Sequence, residues 1–347
     1  MISRKIDEKS IRLLKDLLDS SNKIVITVHS SPDGDAMGSS LGLMHVMEAI
    51  GKEARVVVPD TFLADLKILP GAKEVVVASK YPEFATQLVR EADLVMCLDY
   101  NRLSRTGSLL SQLIEESPVP KVLIDHHLDP GSFATVCISH PELSSTCYLL
   151  FRVLCRLELF NLINRDAAEC ILAGMMTDTG NFSYNATDPE AYIVVAELLR
   201  KGADKERLYR ALFNTHSEDS IRLNAYALSK NMEVFRKRHA ALIWLSREEL
   251  NRHHYKKGDT EGLVNRPLAI PGVYYSAFMR EEDGYVTVSM RSVGDFPVNR
   301  LCEDHFGGGG HLNAAGGEFN GTLSEACELF RSLLDENMKY INDNTKL

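Results

Sequence analysis

The chain has 347 residues, about two domains' worth at roughly 150 residues each. Its 45% hydrophobic and 25% charged residues are ordinary globular proportions, which exclude a disordered, collagenous or fibrous protein. With 39 basic against 48 acidic residues the net charge is −9, so nothing draws the chain over distance to a long polyanion such as duplex DNA. Any phosphate must be held by a local site, and a nucleic-acid partner is expected to be short. No apolar run reaches the roughly 18 residues of a membrane span, so no membrane partner is expected. The opening MISRKIDEKS runs into charges without an apolar segment, unlike a secretory signal. Cys97, Cys137, Cys147, Cys155, Cys170, Cys302 and Cys327 are odd in number and lack a CxxC pair, and so read as reduced thiols of a cytoplasmic protein.

In chain order, apolar residues at helical spacing predict a helix over about 4–20. The run IVITV (24–28) predicts a buried strand ending at His29, and 38–50 predicts a helix that stops at Gly51. ARVVV (54–58), EVVVA (74–78), LVMCLD (94–99) and KVLID (121–125) are four further short apolar runs separated by helix- or loop-like stretches. Continuous apolar strands alternating with helices indicate an α/β fold built on a mainly parallel sheet covered on both faces. Helices are expected at 145–157, 165–177 and 189–201, and the charged, helix-prone stretch 203–235 is read as the inter-domain connection. Beyond 239 the texture changes. VYYSAFM (273–279) and YVTVSMR (285–291) flank Glu-Asp-Gly as an antiparallel hairpin, the glycine run 307–310 precedes an expected short helix, and 322–342 reads as a final amphipathic helix.

Chemistry concentrates at the strand ends. His29, Asp33 and Asp35 follow the first strand at its carboxyl end, where open α/β sheets place ligands. Asp33 and Asp35 flank Gly34, which lets both carboxylates turn toward one point. Asp99 closes one strand; Asp125, His126 and His127 close another; Asp178 follows the apolar AGMM. Singly, each reads as well as a turn or capping residue. Jointly, the strand ends of a parallel sheet converge, so His29, Asp33, Asp35, Asp99, His126 and Asp178 can meet. Four carboxylates would repel one another and titrate upward unless cations compensated, and two divalent ions would balance their charge. The oxygen-rich set with imidazole suits Mn²⁺ or Mg²⁺, the histidines favouring Mn²⁺. Such a pair of ions, about 3.5–4 Å apart, serves in-line phosphoryl displacement. Gly307 to Gly310 can expose consecutive N–H groups as an anion nest before a helix, with His311 as a further donor; a flexible turn is the competing reading. Arg291 offers a planar fork for a terminal phosphate, or is a surface charge. His45 and His253–His254 read as packed or solvated, and Ser144–Thr146 as a helix-capping cluster. Neither GxSxG nor GxxxxGK[ST] occurs, which disfavours serine hydrolysis and P-loop chemistry.

HSSPDGD, Asp99 after its strand, DHH at 125–127 and TDTG at 177–180 resemble the four motifs of the DHH phosphoesterase superfamily. FGGGGHLNAAGG (306–317) resembles the glycine-rich signature of the C-terminal domain found with it in RecJ-like and nano-RNase-like members. The motifs span 29–317, and the NrnA-type bifunctional oligoribonucleases, which also act on 3′-phosphoadenosine 5′-phosphate (pAp), are the nearest in pattern. The resemblance implies that His29, Asp33 and Asp99 hold one metal, and that Asp35, His126 and Asp178 hold the other, with Asp99 bridging. It implies that Asp125 orients a histidine and His127 faces the scissile phosphate, as catalytic groups. Arg291, Gly308, Gly309, Gly310 and His311 would bind substrate. The implied layout is a metal-binding domain at 1–202, a helical linker at 203–235 and a smaller α/β substrate-binding domain at 236–347, with the active-site cleft between them. Asn181 stands where some relatives carry a basic residue. Expected substrates are nanoRNA, pApA and pAp; a cyclic dinucleotide, polyphosphate or pyrophosphate, or a non-catalytic nucleotide-binding role are the alternatives. A homodimer is compatible with the resemblance.

Overall fold

The computed structural model describes residues 6–215 and 217–341. Residues 4–5 of the first expected helix, residue 342 of the last, and the outermost residues of both expected domains lie outside them. The chain divides into two compact units, residues 1–215 and 216–347.

The first unit runs α1 (Glu8–Ser20), β1 (Lys23–Thr27), α2 (Gly34–Ala49), β2 (Glu53–Val58), β3 (Val76–Val77), α3 (Pro82–Glu91), β4 (Leu94–Leu98), α4 (Gly107–Glu116), β5 (Lys121–Asp125), β6 (Val136–Ser139), α5 (Thr146–Arg156), α6 (Arg165–Asp178), α7 (Pro189–Arg200) and α8 (Lys205–Phe213). The strands form one parallel sheet in the order β3-β2-β1-β4-β5-β6. Its apolar runs alternate between two cores. Ile24, Ile26, Leu94, Met96, Val122 and Ile124 join the larger one, while Val25, Val95, Cys97 and Leu123 face the other. Burial on both faces explains why these strands read as unbroken apolar runs. The chain builds β1 to β3 in one direction and β4 to β6 in the other. The order therefore reverses between β1 and β4, where a ligand crevice is expected outside the strand ends.

Two differences from the sequence reading bear on the site. Strand β6 is one that periodicity did not single out; it pairs with β5 at the sheet edge. Helix α2 begins at Gly34, not residue 38, because Asp33 caps it: Asp33 Oδ1 accepts from the N–H groups of Asp35 and Ala36, both at 3.0 Å. Asp35 therefore sits in a helical first turn. Gly34 is helical as well, and its role is space, not turning: a Cβ there would lie 2.3 Å from Thr177 Oγ1. Gly38 repeats the pattern one turn on, where a Cβ would come 2.5 Å from the Cys170 carbonyl oxygen. A small-residue stripe along α2 thus lets α6 approach closely and brings the end of α6, at Asp178, beside the start of α2.

The second unit holds α9 (Glu218–Lys230), β7 (Met232–Phe235), β8 (Ala240–Leu245), α10 (Arg247–Arg252), β9 (Tyr275–Glu281), β10 (Val286–Ser292), α11 (Val298–His305), β11 (Gly309–His311), β12 (Ala314–Phe319), α12 (Leu323–Ser332) and α13 (Leu334–Asn337). Its sheet has the order β11-β12-β10-β9-β8-β7, antiparallel except for β8 with β9. The stretch 203–235, read as a connection, contains α8, α9 and β7. Leu208 of α8 belongs to the core of the first unit, and Leu223 and Ala227 of α9 to a core of the second. The hairpin β9–β10 forms as expected. The glycine run does not precede a helix: Gly309–His311 is a strand paired with β12. A Cβ at Gly308 would lie 1.9 Å from the Gly316 carbonyl oxygen, so close backbone packing requires the glycine there. The last helix ends at Ser332, nine residues before Ile341, followed by the short α13 and a single 3₁₀ turn. Among the described residues no helix is long and apolar enough to cross a membrane.

Replacing Gly38 with Ala inserts a methyl group against an immobile backbone carbonyl. The expected loss is about 1–3 kcal/mol of stability, seen as a lower urea midpoint with an unchanged slope. An unaltered midpoint would contradict the close α2–α6 contact.

Candidate metal centre

The six expected metal ligands come together at the carboxyl ends of β1, β4 and β5. His29 follows β1, Asp99 follows β4, and His126 follows β5, so His29 and Asp99 straddle the point where strand order reverses. Helix α2 adds Asp33 and Asp35 from its cap and first turn, and α6 adds Asp178 as its last residue. His29, Asp33 and Asp99 form one triad whose candidate ligand atoms lie within 4.8 Å of one another; Asp35, His126 and Asp178 form a second. Asp99 joins them. Its Oδ2 is 3.5 Å from His29 Nε2, and its Oδ1 is 3.7 Å from His126 Nε2. Asp178 Oδ2 and Asp35 Oδ2 lie 3.4 Å and 3.9 Å from the same His126 nitrogen.

The backbone holds each group in place. His29 Nδ1–H donates to the Ser30 carbonyl (2.8 Å) and His126 Nδ1–H to the Leu143 carbonyl (3.1 Å). A carbonyl only accepts, so in both rings Nε2 is the nitrogen turned to the carboxylates. Asp99 adopts a left-handed backbone (φ 62°), a conformation that costs energy and clusters at functional sites. Asp35, only 1% exposed, accepts the N–H groups of Thr146 (2.6 Å) and Cys147 (2.9 Å) at the start of α5. The positive end of that helix dipole favours a carboxylate. Thr146 Oγ1 also donates to Asp99 Oδ1 at 2.9 Å. Ser145 does cap α5, as the sequence suggested. That the next residue braces two carboxylates was not foreseeable, since Asp35 lies 111 positions away.

Asp125 is fully buried and its Oδ1 accepts from His127 Nδ1–H at 2.8 Å, so the histidine it orients is His127. His127 also lies beside the cluster, its Nδ1 3.8 Å from Asp99 Oδ1. In the second unit, Arg291 pairs with Ala314 and Ala314 with His311. These three residues therefore occupy one row on one face of the sheet, with Arg291 and His311 about two strand spacings (~9.6 Å) apart. Gly309 and Gly316 pair in the next row but one along the same face. Asn181 sits in an abrupt turn after Asp178, where Gly180, Asn181 and Phe182 all have positive φ. His45, set aside above, bonds to the Pro70 carbonyl oxygen at 3.1 Å.

The electrostatics fit a divalent pair. Burial, then the charges of Asp99 and Asp178, push Asp35 well above the usual carboxylate range. Burial pushes Asp178 up to about 7, against the opposing pull of His126. Burial alone would lower His29, but its bonds to Asp33 and Asp99 overcome this and hold it up at about 10. Two unit charges about 4 Å apart interact by about 4 kcal/mol at an effective dielectric of about 20, so protons gather where cations would otherwise sit. The donor set is carboxylate oxygen and imidazole nitrogen, suited to Mn²⁺ or Mg²⁺.

A model of the DHH family, N-terminal domain, matches residues 23–175, and one of the DHHA1 domain matches 242–339. The bifunctional oligoribonuclease and PAP phosphatase NrnA of Thermus thermophilus is 30% identical over 329 residues, 92% of each chain. The chain belongs to the DHH family. The membership makes it a hydrolase of phosphoester bonds. The crystal structure of an exopolyphosphatase-related protein from Bacteroides fragilis is 47% identical, with a TM-score of 0.93 over 96% of this chain and 98% of that one. The cyclic-di-AMP phosphodiesterase GdpP of Bacillus subtilis is 27% identical over 93% of this chain but only 49% of its own length.

In the metal-free protein, Asp35, Asp178 and His29 keep protons at pH values where the unfolded chain has released them. Their raised values make stability fall as pH rises, from about 4 to about 7 for Asp178 and from about 6.5 to about 10 for His29. A cation must displace those protons. The rise in melting temperature on adding Mn²⁺ is therefore expected to be larger at pH 8 than at pH 5.5; a larger rise at pH 5.5 would contradict the site.

Proposed function

We propose that this DHH protein is a two-metal phosphoesterase that hydrolyses short oligoribonucleotides, including pApA, and pAp, with Mn²⁺ as its preferred ion. The observation that carries the reading is Asp99, whose two carboxylate oxygens face different triads at 3.5 and 3.7 Å. The likeness to NrnA along nearly all of both chains supports the substrate class, and the net charge of −9 suits small substrates better than long duplexes.

His29, Asp33 and Asp99 would hold one ion, and Asp35, His126 and Asp178 the other. When bound, the two ions would supply Lewis acidity toward a water and the phosphoryl oxygens. The remaining work falls to the chain itself. Asp125 fixes the His127 ring and keeps the proton on Nδ1, which presets the imidazole to receive charge that develops on the scissile phosphate. The start of α5 fixes the Asp35 carboxyl by two N–H donors, which offset part of the burial and like charge that raise it. Arg291 and His311, on one row of the second sheet, would grip a non-scissile phosphate, and Gly316 on the same face adds no side chain beside it. Gly308 and Gly310 would shape that edge through the backbone: Gly310 has φ 148°, a conformation open to glycine.

GdpP's likeness along 93% of this chain favours a second reading, hydrolysis of a cyclic dinucleotide. Side-by-side assays on pAp, a ribonucleotide trimer, cyclic di-AMP and pyrophosphate separate the two. The trimer and pAp are expected to turn over fastest, and faster turnover of cyclic di-AMP or pyrophosphate than of both would overturn the assignment.

Asp99→Asn keeps the shape of the side chain and removes its charge. It is expected to lower kcat at least a hundredfold on the trimer in saturating Mn²⁺, and activity within a few-fold of the parent protein would contradict the joining role of Asp99. Arg291→Ala is expected to raise KM for pAp at least tenfold, with a smaller change in kcat; loss confined to kcat would remove Arg291 from phosphate binding.

A further inference from the structure

Three residues beyond Asp178 the first unit has a groove that the metal cluster does not use. It is a shallow depression, open to solvent, of about 380 Å³ lined by Asn181, Lys205, Glu206, Tyr209 and Arg210. Four of these lie on α8 at positions i, i+1, i+4 and i+5, which places them along one side of the helix. At 3.8 Å per residue, the Asn181 Cα is within about 11 Å of the Asp178 Cα, so the groove begins close to the cluster. The turn after Asp178, left-handed at Gly180, Asn181 and Phe182, brings Asn181 into the groove wall.

The groove carries the chemistry of a nucleotide. Tyr209 is 37% exposed. Its ring stacks on Phe213 with centroids 5.3 Å apart and planes 16° from parallel, which stiffens it. Lys205 Nζ lies 5.8 Å from the ring centroid. Lys205 and Arg210 outnumber Glu206, so the groove is locally cationic on a chain of net charge −9. A braced aromatic ring with flanking cations is the arrangement by which proteins hold a base and its phosphate without reading sequence.

We propose that this groove binds a nucleotide next to the scissile bond, its base stacking on Tyr209 and its phosphate meeting Arg210 and Lys205. The inference rests on the oligoribonucleotide reading above and names the stacking residue that reading requires. It also gives a physical reason for a preference for oligonucleotides over a base-free phosphate: the base adds binding that the metal cluster cannot supply.

The test uses the full chain, Mn²⁺ and a 5′-phosphorylated adenosine trinucleotide. Tyr209→Ala is expected to raise KM about tenfold, a loss that falls on KM more than on kcat, and Tyr209→Trp to restore it. Trinucleotides made abasic at each position in turn should identify one position at which the parent and Tyr209→Ala proteins no longer differ. Arg210→Ala should weaken intact and abasic trinucleotides alike. Equal KM values for the Ala, Trp and parent proteins would overturn the proposal, as would equal losses in Ala and Trp, which would mark a structural role. If the parent protein turns over no ribonucleotide, the functional reading fails by itself. The groove is then judged by titration calorimetry of the same trinucleotide, where weaker binding to the Ala than to the Trp variant supports it and equal binding overturns it.

Discussion

Like charges crowded into a buried space set the terms for the first unit. Asp35, Asp99 and Asp178 surround His126, and Asp99 reaches His29 and Asp33 on its other side. Left alone, such a cluster takes up protons, which is what the raised values at Asp178 and His29 express. The fold holds it together by covalent and packing constraints that no single ligand controls. The parallel sheet brings three strand ends to the reversal between β1 and β4. The α5 terminus donates two N–H groups to Asp35. The glycine stripe on α2 lets α6 deliver Asp178. Each device acts on a different carboxylate. Such positioning would suit compact, doubly charged partners.

The second unit follows a different logic. Its sheet buries Val286, Val288 and Met290 of β10 on one face, and the alternating residues Thr287, Ser289 and Arg291 stand on the other. Helices α9 and α10 lie with the β7–β9 side, contributing Leu223, Ala227 and Leu250 to a core with Ile243 and Phe278. The row through Arg291, Ala314 and His311 lies at the other end of that face, where the small residues of β11 and β12 leave little side-chain bulk. A sheet half covered by helices thus places a basic row beside a stretch of small residues, with Glu303 close to Gly309.

Much of this was legible in the sequence, for a physical reason. Parallel strands buried on both faces read as apolar runs, so the positions of β1, β2, β4 and β5 could be read directly, and with them the residues at their ends. Asp99 and Asp125–His127 were legible only jointly: each alone reads as well as a turn or capping residue, but the carboxyl ends of parallel strands converge. Contacts between distant segments were not legible. The bracing of Asp35 and Asp99 by Thr146 depends on α5 meeting the sheet, and no local pattern encodes it. The glycines misled in a consistent way: Gly34 and Gly308 read as sources of turning or exposed N–H groups, whereas both are small because another segment passes too close for a side chain. Strand β6 escaped notice because Val136–Ser139 is short and Cys137 faces outward.

Anomalous diffraction from crystals grown in saturating Mn²⁺ addresses the central claim most directly. Two manganese peaks per chain are expected, one among His29, Asp33 and Asp99 and one among Asp35, His126 and Asp178, with Asp99 shared. A single peak, or peaks elsewhere with these six side chains unliganded, would contradict the account.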